Sequence, residues 1–217
     1  MHTPIRTEMG TVLVNGIEYN ECPLPGQLVK LMKRKWADQL LKKGAVRFHD
    51  LEYYRQWENK YLGDPNDGIA VLNVNNLSLE TRSGNDVYAW CLSLPEIKHE
   101  RMLLLAQHGG YDCKVVISNP KEFITRVNNW LSEHKKGSQL HCGLVTYNRC
   151  VNVTKATANA QKFNFNVFQK SAKFQDDQEY RLAITEAPVS ESHGEYLDLE
   201  IENCHDIVSL HTFLNSR

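Results

Sequence analysis

The sequence predicts an α+β fold, a single domain of mixed and antiparallel sheets flanked by helices. Segments with the strand period of two outnumber segments with helical spacing. Few strand–helix–strand units follow one another, as a doubly wound parallel sheet would require. No composition shift, long linker, internal repeat or low-complexity stretch divides the 217 residues. Residues 1–26 read as an N-terminal hairpin extension, 27–185 as the motif-bearing core and 186–217 as a C-terminal strand and tail.

Residues 11–20, TVLVNGIEYN, alternate around Asn15-Gly16, the signal of a tight type I′ hairpin. Pro23 and Pro25 punctuate, and residues 27–32 read as a strand. From Arg34 to Lys43, Trp36, Leu40 and Leu41 fall at helical spacing, and Gly44 supplies the stop. Ala45 to Phe48 is a short strand, and the polar-aromatic run 49–61 reads as a helix. Turn residues fill Gly63-Asp-Pro-Asn-Asp-Gly68. Residues 69–79 and 87–94 read as strands joined through Ser83-Gly-Asn-Asp86. A helix over 96–107 ends at Gly109-Gly110, and Cys113 to Ile117 is a buried strand. Asn119 caps the next helix, with Pro120 at its first position and Glu122 completing a capping box. Phe123, Val127, Trp130 and Leu131 form its apolar stripe. Residues 143–147 read as a strand, 154–162 as helix or loop, and 180–185 and 196–201 as late strands.

A hydrophobic content of 41% and a charged content of 24% are ordinary for a globular chain. The net charge of −1 argues against a broad electrostatic grip on nucleic acid or anionic lipid. One local basic run stands out, Lys30-Leu-Met-Lys33-Arg34-Lys35. No window approaches the roughly 20 apolar residues of a membrane span, and the first residues carry no apolar export region, so a cytoplasmic protein without membrane contact is expected. The six cysteines, at 22, 91, 113, 142, 150 and 204, lack CxxC spacing and read as reduced thiols.

Phosphate-loop and dinucleotide fingerprints are absent, as are hydrolase elbows. Cys142, Cys150, Cys204, His141 and His205 match no zinc module, and no metal is expected. Asp112-Cys-Lys114 has the carboxylate-x-lysine spacing of a Mg²⁺-dependent nuclease, with Asp64 or Asp86 as a second carboxylate. The late segment from Phe168 to Ile184 carries the other chemistry. Alternation there sets Tyr180, Leu182 and Ile184 on one face and Glu179 with Arg181 on the other, where a solvated strand face is the ordinary reading.

Several short motifs fall in a set order. They are Ala45-Val-Arg-Phe48, Tyr53-Tyr54-Arg55 with Glu58, Gly63-Asp-x-x-Asp-Gly68, Cys91-Leu-Ser93, and a closing Lys170, Phe174, Glu179, Tyr180, Arg181. Over most of residues 27–185 this order resembles an uncharacterised bacterial and phage domain family, which is in turn similar to ADP-ribosyltransferases. That resemblance implies NAD as substrate and Glu179 as the catalytic carboxylate. Lys30 or Arg47 would take the basic role that grips the pyrophosphate, and Ser93 the middle-strand serine. Tyr53 or Tyr54 would stack on nicotinamide, and Arg181 would face the cleft beside Glu179. It implies a protein or nucleic-acid acceptor, an antitoxin, immunity or target protein as partner, and a place in toxin, defence or counter-defence biology. The chain departs from the enzymes in having Cys-Leu-Ser for Ser-Thr-Ser and Asp177 two residues before the glutamate. A silent module that binds a nucleotide or a protein is the non-enzymatic alternative.

Overall fold

Hydrophobic alternation in the chain is spent mostly on one large sheet. The computed structural model describes residues 5–6, 12–14, 17–19, 24–56, 61–74, 77–82, 87–148, 150–152, 167–185 and 194–213. The chain opens with β1 (Ile5–Arg6), β2 (Val12–Val14) and β3 (Ile17–Tyr19). Val14 pairs with Ile17, as the hairpin signal predicts, while Asn15 and Gly16 lie outside the described residues. Strand β4 (Leu28–Met32) leads into helix α1 (Arg34–Lys43). Strand β5 (Ala45–Asp50) runs two residues past its predicted end. Of the helix predicted over 49–61, α2 (Leu51–Gln56) is observed; His49 and Asp50 are drawn into the sheet instead, Asp50 accepts the Tyr53 N–H at 2.7 Å, and residues 57–60 lie outside the described residues.

The strand predicted over 69–79 is in fact two, β6 (Ile69–Val74) and β7 (Leu77–Arg82), paired as a hairpin. Asn75 and Asn76, between the two strands, lie outside the described residues. With β11 (Cys150–Asn152) they make a separate three-stranded sheet. Then come β8 (Val87–Ser93), α3 (His99–Gly109), β9 (Cys113–Ile117) and α4 (Pro120–His134). At α4 the Asn119 side chain accepts the Glu122 N–H at 3.2 Å, but the Glu122 carboxylate takes Arg126 Nε at 2.9 Å instead of closing the capping box. Strand β10 (Gln139–Leu144) sits four residues earlier than predicted at its start. A 3-10 helix (Ala172–Asp177) precedes β12 (Glu179–Thr185), followed by β13 (Tyr196–Glu200) and β14 (Val208–Thr212). The C-terminal segment therefore contributes a second strand, β14, that the sequence pattern does not reveal. The span 154–162 lies outside the described residues.

The large sheet has eleven strands in the order β1-β2-β3-β10-β12-β8-β4-β9-β14, with β5 joined to β8 and β13 to β5. Most pairings are antiparallel, so the observed architecture is α+β; β3 meets β10 in parallel. One face carries the main core, where Leu28, Leu40, Phe48, Leu182 and Ile184 pack with Phe123, Val127 and Leu131 of α4. Trp90 stacks on Phe123 with ring centroids 5.2 Å apart. A smaller cluster lies apart, built from Leu51, Val87, Ala89, Val167, Phe168 and Ala183. Both faces of β12 are thus covered, and Glu179 to Ile184 are all buried. The solvated strand face of the ordinary reading does not exist here.

Gly44 ends α1 in the left-handed region at φ 67°, and its N–H meets the carbonyls of Gln39 and Leu40. A Cβ there would lie 2.3 Å or less from the backbone oxygens of Ile201 and Glu202. Gly44→Ala is expected to cost about 2 kcal/mol or more, from left-handed strain plus that clash. A urea unfolding midpoint within error of the parent would refute this.

Candidate functional site

Strand order brings the sequence-predicted residues together. Strand β12 lies beside β8, and β8 beside β4. Glu179 is registered opposite Ser93, and Ser93 opposite Val29, so Lys30 follows directly on the third strand. Arg181 is opposite Cys91. The turn into β12 is made by Gln178, whose left-handed φ of 47° closes the 3-10 helix and sets Glu179 at the strand's first position.

A cavity of about 660 Å³ opens over these strand ends. Lys30, Arg47, Tyr54, Ser93 and Glu179 all line it, together with His49, Tyr53 and Lys170. Its size is that of a ligand pocket for a mid-sized organic molecule. Arg181 does not line it. That residue is fully buried behind Glu179, and the predicted ligand contact is replaced by a structural one.

The buried charges form one connected network. Arg181 donates through Nη1 and Nη2 to the two oxygens of Asp67 at 2.7 and 3.1 Å, and through Nε and Nη2 to Glu179 Oε1 at 2.9 and 2.7 Å. Nη1 also reaches the Val167 carbonyl at 2.6 Å. Lys170 Nζ donates to the other glutamate oxygen, Oε2, at 2.6 Å and lies 3.8 Å from Asp177. Asp177 accepts Arg101 Nε at 2.7 Å. The Glu179 N–H donates to the Tyr147 hydroxyl at 2.8 Å. Around this, Asp64 accepts the Ser171 N–H at 3.2 Å and Arg55 donates to the Asp67 carbonyl at 2.7 Å, tying the Gly63–Gly68 loop to the late segment.

Electrostatics follow from this wiring. Burial works against the Glu179 charge, but Arg181 and Lys170 outweigh it and hold the carboxyl well below the usual range. Burial likewise opposes the Lys170 charge, and Glu179 and Asp67 reverse the effect, so its ammonium is locked on. Lys30 goes the other way: burial lowers its pKa, while its Nζ donates to the Cys91 carbonyl at 2.5 Å. Burial raises the Tyr54 phenol, whose hydroxyl donates to the Ala89 carbonyl at 3.0 Å, and pushes the Cys91 thiol up to about 12. The floor of the cavity therefore holds a carboxylate that its neighbouring cations favour in the ionised form, walled by aromatic rings. Such a floor suits an anionic ligand that carries rings and a group turning positive as it reacts.

Arg47 reaches the cavity's outer wall as a bidentate pair with Asp198, at 2.7 and 2.6 Å. Beside it His49 stacks on Tyr53 with centroids 3.9 Å apart, and its buried Nδ1 has no hydrogen-bond partner among the described residues. Burial, then Lys30 and Arg47, lower its pKa to about 4. The sign follows: a histidine depressed on folding contributes stability above its unfolded pKa of about 6.5 and loses it as pH falls toward 4. His49→Gln is expected to flatten the decline in unfolding midpoint between those pH values. An unchanged pH profile for the variant would refute it.

Asp112 stands away from this site. It is exposed and accepts the Arg34 N–H at 2.5 Å at the start of α1, while Asp64 is engaged by Ser171, and Asp86 lies outside the described residues. Among the described residues no group of three or more His, Cys, Asp or Glu side chains gathers around a metal position. No helix among them is long and apolar enough to cross a membrane.

Sequence reasoning leaves Asp67, Arg101 and His49 unassigned. The sequence offers Asp67 only as one of two acidic residues in the Gly63–Gly68 loop; the demand for a carboxylate comes from the burial of Arg181, which the structure shows. The chain matches no protein-family model, no curated protein and no solved structure at a significant level.

Proposed function

We propose that the cavity binds NAD and that the protein acts as an ADP-ribosyltransferase, passing ADP-ribose to a protein or nucleic acid, or to water. One observation carries this reading: Glu179, Ser93 and Lys30 stand on three neighbouring strands and border one cavity, which Arg47 and Tyr54 also line. In the reaction the bond from the ribose C1′ to the nicotinamide nitrogen breaks and nicotinamide leaves with the electron pair. The sugar passes through an oxocarbenium-like state, and the fixed negative charge of Glu179 stabilises it. Lys30 supplies a cation for the pyrophosphate, Arg47 a guanidinium at the outer wall that is paired with Asp198, and Tyr54 and Tyr53 a surface for the nicotinamide ring.

A second reading has its own support. Both oxygens of Glu179 are already engaged, Oε1 by Arg181 and Oε2 by Lys170. A carboxylate so compensated favours binding of a nucleotide without turnover. NAD carrying a label in nicotinamide separates the two. Released nicotinamide, above the rate in buffer, supports the enzyme. Saturable NAD binding by calorimetry without release supports the silent module. Absence of binding overturns both.

A further inference from the structure

A ladder of rings and cations runs from the open surface to the cavity. Trp36 and Tyr196 are each 47% exposed, unusual for such large side chains. The Arg47 guanidinium lies between them, 5.8 Å from the Trp36 ring and 3.8 Å from the Tyr196 ring. His49 follows at 6.4 Å from Tyr196, then Tyr53 at 3.9 Å, then Tyr54 at 5.4 Å from Tyr53. The last of these donates to the Ala89 carbonyl of β8, opposite Ala183 of β12, and lines the cavity with Glu179. Trp36 and Arg47 line the cavity mouth, whereas Tyr196 lies outside its lining.

Charge at this rim is uneven. Asp198 neutralises Arg47 and fixes its plane as a stacking face, and Asp38 pairs with Arg34 at 3.0 Å. Lys33 and Lys35 pair with no carboxylate among the described residues; Lys35 Nζ lies 4.7 Å over the Trp36 ring. Glu200 lines the same cavity and offsets part of their charge. The start of α1 carries no acidic residue in its first turn, so these cations are set against the helix dipole rather than with it. Exposed aromatics interleaved with uncompensated lysines, in a chain of net charge −1, form a local footprint for stacked bases and phosphates.

We infer that the rim formed by Lys33, Lys35, Trp36, Arg47 and Tyr196 binds single-stranded nucleic acid and presents it to Glu179 as the ADP-ribose acceptor. The acceptor role rests on the NAD reading; the binding role does not. In the transfer, a nitrogen or oxygen of the strand forms the new bond to ribose C1′, nicotinamide departs with the electron pair of the broken bond, and the acceptor proton goes to solvent.

The test is fluorescence anisotropy of the full chain with a labelled single-stranded oligonucleotide and with the same sequence as duplex. Single strands should bind at least tenfold tighter than duplex, and Trp36→Ala and Tyr196→Ala should each weaken binding roughly tenfold. Lys35→Glu should weaken it and reduce a salt slope that for two phosphate contacts is about −1.4. Equal affinity for duplex, an unaffected Tyr196→Ala, or no binding at about 100 μM protein would overturn the proposal. A raised KM for NAD in Tyr196→Ala without oligonucleotide would overturn it too, because the ring would then serve the dinucleotide. Nicotinamide release to water, measured in parallel, should persist in Tyr196→Ala and Lys35→Glu, both outside the cavity lining. If the parent protein binds strands and releases no nicotinamide, the rim stands and the NAD reading falls.

Discussion

Arg181→Met is expected to destabilise the fold by about 3–5 kcal/mol, the cost of leaving buried charges without their partner. Arg181 is the largest fully buried side chain among the described residues, and its donors serve Asp67, Glu179 and the Val167 carbonyl at once. Methionine fills the volume but leaves the Asp67 carboxylate without its cation and Glu179 with Lys170 alone. Urea denaturation reads the loss as a lower midpoint at unchanged slope. Arg181→Lys should recover little, because one ammonium cannot replace a planar fork that grips two carboxylates in fixed geometry. The pH dependence should change as well. Glu179 is held below its unfolded value, so its share of stability is present above about pH 4.3 and is lost as pH falls through the folded value. In the methionine variant that acid loss should shrink. A midpoint shift worth less than about 1 kcal/mol would show that the network is not what holds β12 in place.

Much of this frame was legible in local pattern, because local pattern is what backbone geometry dictates. The alternation of Tyr180, Leu182 and Ile184 against Glu179 and Arg181 is observed, as are the Asn119-Pro120 start of α4 and the Gly44 stop of α1. A period of two separates faces, however, and does not say what covers each. For β12 the second face is covered by Val167, Phe168 and the loop bearing Asp67, which is 114 residues from Arg181 in sequence. That separation is why Glu179 and Arg181 read as a solvated pair and prove to be buried. Strand β14 was missed for a related reason: Val208-Ser-Leu-His-Thr212 is short and weakly apolar, and pairing with β9 rather than its own composition makes it a strand. Of the candidate site residues, Lys30, Arg47, Tyr54, Ser93 and Glu179 line one cavity and Arg181 does not. Their meeting depends on β12, β8 and β4 being neighbours, a fact of sheet order that spacing along the chain does not contain.

Under the proposed NAD function, Glu179→Gln should reduce nicotinamide release roughly 100- to 1,000-fold, the usual scale for removing one preorganised electrostatic contact from a transition state. The amide keeps the shape of the carboxylate and removes only its charge, so an effect on rate with NAD affinity within threefold would assign the loss to the developing positive charge and not to binding. The substitution has a structural cost, since Lys170 and Arg181 both donate to Glu179. Arg181 retains Asp67, and Lys170 retains Asp177 at 3.8 Å, so both cations keep a nearby carboxylate and the fold should survive, with a lowered unfolding midpoint. Glu179→Asp provides the control. It keeps the charge and withdraws it by one methylene, and should fall between the parent and the glutamine variant in rate. If the glutamine variant is folded and releases nicotinamide at the parent rate, Glu179 is only the counter-ion of Arg181 and Lys170. The charge would then belong to the core, and the cavity would remain a binding site whose occupant is held without being cut.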